Sequence, residues 1–96
     1  MSNVNKTDKE RKRRIKTIKG LLSNLRSSIV YTPRNESELA DARDMLEYAH
    51  KVNDLPNIIQ IRQYQVNQGE QYLALNEELD TLMDEVYGEP KSKKHR

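Results

Sequence analysis

Residues 8–14 read Asp8-Lys9-Glu10-Arg11-Lys12-Arg13-Arg14 and place five cations in seven positions. Lys16 and Lys19 extend the run. Side chains of this kind can bind phosphates. Each cation that reaches a phosphate releases condensed counterions, and the guanidinium fork suits bidentate contact with phosphate or guanine. The apolar seam of the surrounding helix begins only at Ile15. Residues 8–14 are therefore polar all round, and this basic first helix is expected to protrude from the core. The plainer explanation is a helix end kept soluble by its charge. A second basic segment, Lys91, Lys93, Lys94 and Arg96, tips the balance towards a nucleic-acid partner, DNA or RNA.

The total net charge of +2 conceals strong polarity. Residues 1–35 carry ten Lys/Arg against Asp8 and Glu10, a net of +8. Residues 36–69 net −3, residues 70–90 net −7 and the tail from Lys91 adds +4. A basic arm on an acidic body fits a phosphate-rich partner. It also fits ends that attract each other or a second copy.

Glu10-Arg11-Lys12-Arg13-Arg14 resembles the Glu-Arg-x-Arg-Arg signature of basic helix-loop-helix DNA-binding domains. The amphipathic segments on either side of Thr32–Asn35 continue the likeness over about half the chain. The resemblance implies that Glu10 reads base edges and that Arg13 braces Glu10 and contacts phosphate. It implies backbone contacts for Arg11 and Arg14. The second segment opens on Glu36-Ser37-Glu38, where that family carries a Lys, and Pro56 interrupts a continuous zipper. The likeness is a guide to docking geometry and not to membership.

A second candidate surface is the acidic segment 70–87. Tyr72, Leu75, Leu79, Leu82 and Val86 form a heptad seam accompanied by Glu70, Glu77, Glu78, Asp80, Asp84 and Glu85. This seam could bind a protein partner or another copy of the chain. Equally, the third helix could lie along the first, with its acids facing Lys16, Lys19 and Arg26.

Catalysis is not expected. The chain has no Cys, two His (His50 and His95), no glycine-rich phosphate loop and no metal-ligand spacing. No cofactor, metal, small-molecule substrate or membrane contact is implied. The five Tyr are expected to cap a small core with their hydroxyls facing water.

Three helices must position these residues, at about 8–31, 36–53 and 58–87. Thr7-Asp8-Lys9-Glu10 has the form of a capping box, followed by the seam Ile15, Ile18, Leu22, Leu25, Ile29, widened by Leu21 and Val30. Thr32 precedes Pro33 and ends that helix. Asn35 and Glu38 open the second, whose stripe is Leu39, Ala42, Met45, Leu46, Ala49 and Val52. The third runs in one frame from Ile58 and Ile61 to Val86, turns polar at Gln65, Gln68 and Gly69, and meets stop signals at Gly88 and Pro90. At Gly69 the helix is expected to stay straight, so that alanine there would stabilise it.

The expected fold is all-α: an antiparallel hairpin of the first two helices, with the long third helix completing a small bundle or pairing with another chain. Residues 1–7 and 89–96 lack an apolar anchor and are expected to be disordered. Apolar content of 34% against 33% charged residues, with no disulfide, leaves a thin core, so a homo-oligomer is expected. The chain reads as a small intracellular protein, cytoplasmic or nuclear, of viral or mobile-element character. The leading function is a non-enzymatic nucleic-acid binder using Lys9, Arg11, Lys12, Arg13, Arg14, Lys16 and Lys19. The alternative is a protein-binding regulator or assembly factor.

Overall fold

The computed structural model is all-α and describes residues 2–93, with side chains for 8–88. Helix α1 spans Ser2–Arg26, α2 spans Glu36–Lys51 and α3 spans Pro56–Lys93. At about 1.5 Å per residue, the 38 residues of α3 measure roughly 57 Å, which accounts for the 59 Å long axis of the molecule.

The bundle has α3 as its spine. Among the described residues, α1 and α2 each pack on α3 and not on each other. The expected hairpin of the first two helices is thus replaced by one of α2 and α3. The reason lies in how many apolar stripes each helix carries. α1 and α2 have one each, while α3 has two, offset along its length. Its C-terminal stripe packs Tyr72 and Leu75 against Ile18 and Leu22, joined by Leu21, Leu25, Leu79 and Leu82. Its N-terminal stripe packs Val66 against Leu39 and Ala42, with Leu46 and Leu73 alongside. α1 and α2 therefore lie one after the other along α3, both antiparallel to it.

The residues between them, 27–35, cross α3 where its sequence turns polar, and the polar residues are what they bind. Gln68 is only 4% exposed, and its amide is fully used. Its Oε1 accepts from the Ser28 hydroxyl at 3.0 Å. Its Nε2 donates to the Val30 carbonyl at 3.2 Å and to Thr32 Oγ1 at 2.6 Å. The buried Thr32 hydroxyl passes the chain on to the Leu25 carbonyl at 2.8 Å, which also accepts from the Ser28 amide at 3.2 Å at the end of α1. Gln65 donates to the Tyr31 carbonyl at 3.1 Å. The gap in the heptad frame is the joint of the molecule.

These contacts end α1 at Arg26, earlier than its periodicity suggests, so Ile29 leaves the expected seam and is wholly exposed. α1 also starts before Thr7, at Ser2. Asn35 caps α2 as expected, accepting from the Glu38 amide at 2.8 Å. α2 closes on Asn53, whose φ of 56° is the left-handed cap that asparagine tolerates. Pro56 takes the first position of α3, where its missing N–H costs nothing. α3 continues through Gly88 and Pro90 to Lys93, and Gly88 has no positive φ. Glycine adopts helical angles as readily as left-handed ones, so it permits a stop without imposing one. The side chains of the expected disordered ends, 1–7 and 89–96, lie outside the described residues. Among the described residues no helix is long and apolar enough to cross a membrane.

Candidate nucleic-acid interface

Antiparallel packing brings the basic half of α1 beside the acidic half of α3, and this divides the cations of α1 into two sets. Positions on the same side as Ile15, Ile18 and Leu22 meet α3. Arg14 makes a bidentate pair with Glu78, Nε to Oε2 at 2.9 Å and Nη2 to Oε1 at 3.0 Å. Arg11 reaches Glu85 Oε1 at 3.1 Å and Asp8 Oδ1 at 3.4 Å. The hydrogen bond from Arg14, aided by its charge, holds the Glu78 carboxyl below the usual carboxylate range, and the same contact pushes the Arg14 guanidinium up. Farther along, Arg26 Nη1 donates to the hydroxyl of buried Tyr72 at 3.2 Å.

This overturns the expectation of a free-standing arm. From Asp8 onward α1 lies along α3 and does not protrude. Complementarity inside the fold is carried by Arg11 and Arg14, not by Lys16 and Lys19.

The second set faces away. Lys9, Lys12, Arg13, Lys16 and Lys19 are exposed, and none forms an ion pair among the described residues. Their spacing of three and four residues keeps them on the face of α1 opposite the seam. They form a stripe roughly 15 Å long with a charge about every 5–6 Å. Gly20 and Ser23 continue that face without bulk; a Cβ added at Gly20 would meet nothing within 4 Å. The charged tail from Lys91 to Arg96 falls outside the described side chains.

The candidate interface on α3 is already occupied. Tyr72, Leu75, Leu79 and Leu82 are covered by α1 of the same chain, and Val86 is half-buried. Of the tyrosines, Tyr72 is buried, while Tyr31, Tyr48, Tyr64 and Tyr87 are half-exposed or more. Sequence reasoning missed the Gln68 joint, although Thr32, Pro33 and Gly69 supplied its parts. It also missed the exposure of Met45, Val52 and Ile61, all assigned to apolar stripes and all nearly half open.

Comparison with models of known protein families, with curated proteins and with solved structures finds no match. None of these comparisons supports the likeness to basic helix-loop-helix domains. Its implied docking is further altered because Arg11 and Arg14 are held by α3.

Proposed function

We propose that this protein binds nucleic acid non-enzymatically, through the outer face of α1. The observation that carries the reading is the unpaired basic stripe Lys9, Lys12, Arg13, Lys16 and Lys19 beside two inward arginines neutralised by Glu85 and Glu78. A helix whose cations served only the fold would spend them on α3. Here the fold uses three, Arg11, Arg14 and Arg26, and leaves five in water, on one side and at regular spacing. Such a stripe fits a phosphate backbone. It supplies affinity and orientation with little sequence information.

The alternative, a regulator acting through the α3 seam, has less support, because α1 of the same chain covers that seam.

The test is a salt series of binding to a labelled duplex and a labelled single strand. Five phosphate contacts should give a log–log slope of about −4 to −5 on duplex DNA and about −3 to −4 on a single strand. Changing all five stripe residues to Gln preserves helix propensity and should abolish most of the affinity and flatten the slope. Arg11→Gln with Arg14→Gln should leave the slope largely unchanged, since those guanidiniums face α3. Unchanged affinity and slope in the five-residue variant would refute the proposal.

A further inference from the structure

α1 ends at the joint, and this leaves half of a continuous surface uncovered. On α3, the side that α1 covers at Tyr72, Leu75 and Leu79 continues N-terminally as Ile58, Ile61, Tyr64 and Gln65. There Gln65 is half-buried beneath Tyr31 and Ile58 is half-buried, while Ile61 and Tyr64 stand about half open. On α2 the adjoining face carries Met45, Tyr48 and Val52, on the side away from the Arg43–Glu70 ion pair. The two faces meet at a depression of about 330 Å³ lined by Tyr31, Pro33, Ala42, Met45 and Gln65, together with two acidic residues of α2, Glu38 and Asp41.

The exposures are large for such residues: Met45 46%, Tyr48 64%, Val52 47%, Ile61 47% and Tyr64 53%. An aromatic side chain carries about 150–250 Å². Half-open tyrosines and aliphatics in this number make an apolar patch of several hundred Å², the size that marks an interaction site. The hairpin beneath is thin. Its fully buried apolar residues are Leu39, Ala42, Ala49 and Val66, two of them alanines. A two-helix layer buries only one edge of each helix and needs a second layer on its face.

We propose that this face is covered by the same face of a second copy, the two α2–α3 hairpins forming a four-helix dimer core. Chemistry singles out a second copy as the occupant. One residue in three of this chain is charged, yet from Leu55 to Gly69 Arg62 is the only charged side chain. The amides of this segment are Asn57, Gln60, Gln63, Gln65, Asn67 and the buried Gln68. Depletion of charge around exposed aromatics and Met is the composition of an interface core. A two-fold interface sets a patch against itself. Like charges set against their copies repel, so Glu38 and Asp41 must stay at the rim of such a contact, whereas the amides of the α3 half are both donors and acceptors and can pair with their own kind. This inference does not depend on the nucleic-acid reading.

Sedimentation of the full chain should give twice the 11.3 kDa chain mass, with a thermal midpoint that rises with protein concentration. Ile61→Glu sets a carboxylate on the face without entering the single-chain core. It should weaken association at least tenfold while the helical circular dichroism is kept. A second arm uses the absence of cysteine. Gln65→Cys should be captured as a covalent dimer by a short thiol–thiol cross-linker, and Lys16→Cys, on the outer face of α1, should not. A wild-type chain that sediments as a monomer overturns the proposal. So does an Ile61→Glu dimer as tight as wild type, or equal capture at both cysteines.

Discussion

Gly69→Ala tests the joint at its tightest point. Gly69 is buried in the middle of α3, with ordinary helical angles. Helix propensity alone favours alanine there by about 0.8–1.0 kcal/mol. The surroundings oppose it. An added Cβ would stand 2.8 Å from Leu39 Cδ1, 2.9 Å from Pro33 Cβ and 3.0 Å from Pro33 Cγ. Neither neighbour can step aside cheaply. Leu39 is 2% exposed, and Pro33 is a fully buried rigid ring beside Thr32, which Gln68 and Leu25 hold. Overpacking of this kind costs about 1–3 kcal/mol before rearrangement. With three contacts at or below 3.0 Å it outweighs the propensity gain, for a net loss of up to about 2 kcal/mol and a thermal midpoint lower by up to about 15 °C. The helix is straight, yet alanine destabilises it, an outcome that backbone reasoning alone does not anticipate. Gly20→Ala is the internal control, since that position also lies mid-helix but faces open space. It should gain about 0.8–1.0 kcal/mol and melt about 4–8 °C higher. Both variants should be melted by circular dichroism at one fixed protein concentration. A Gly69→Ala midpoint at or above wild type would refute the claim that Pro33 and Leu39 close this site.

Two further predictions concern the same fold. Gln68→Met keeps side-chain length but strands the Val30 carbonyl and the hydroxyls of Ser28 and Thr32. Urea unfolding should show a loss of about 1–3 kcal/mol, and a midpoint equal to wild type would mean that water replaces the amide without cost. Glu78 and Glu38 both sit below the usual carboxylate range, Glu78 through Arg14, and Glu38 through the Arg34 amide and then the Tyr31 hydroxyl. Their contribution is therefore complete above the unfolded carboxylate pKa of about 4.3 and is lost as pH falls through the lowered values. The thermal midpoint should drop between about pH 6 and about pH 3, and Arg14→Gln should shrink that drop. An identical drop in the variant would show that the Arg14–Glu78 pair adds nothing in solution.

Local patterning determined the elements. The seam Ile15-Ile18-Leu22 and the frame Tyr72-Leu75-Leu79-Leu82 are helical by their spacing, and Asn35 opens α2 through a contact within one turn. Such features depend on neighbours a few residues away, so the chain declares them directly. Charge patterning left open whether the basic and acidic halves would meet or the basic helix would protrude, and it did not indicate which cations would be used. Arg11 and Arg14 turn inward, and Lys9, Lys12, Arg13, Lys16 and Lys19 outward, because Ile15 and Ile18 set the rotation of α1 against α3.

Pairing was decided only in three dimensions. Any two amphipathic helices can bury a stripe, and a short connection between α1 and α2 argues for joining them. What separates them is the cost of leaving Gln68 unsatisfied in the middle of α3. That cost is removed when Ser28, Val30 and Thr32 cross at that point, with Pro33 seated on Gly69. The partners lie 36–40 residues apart in the chain, and no local signal links them. The same crossing frees Ile29 from its helix, ends α1 at Arg26 and leaves Ile61 and Met45 open, so residues of core type lie on the surface. Their exposure follows from where α1 stops, a property of the assembled molecule and not of the residues themselves.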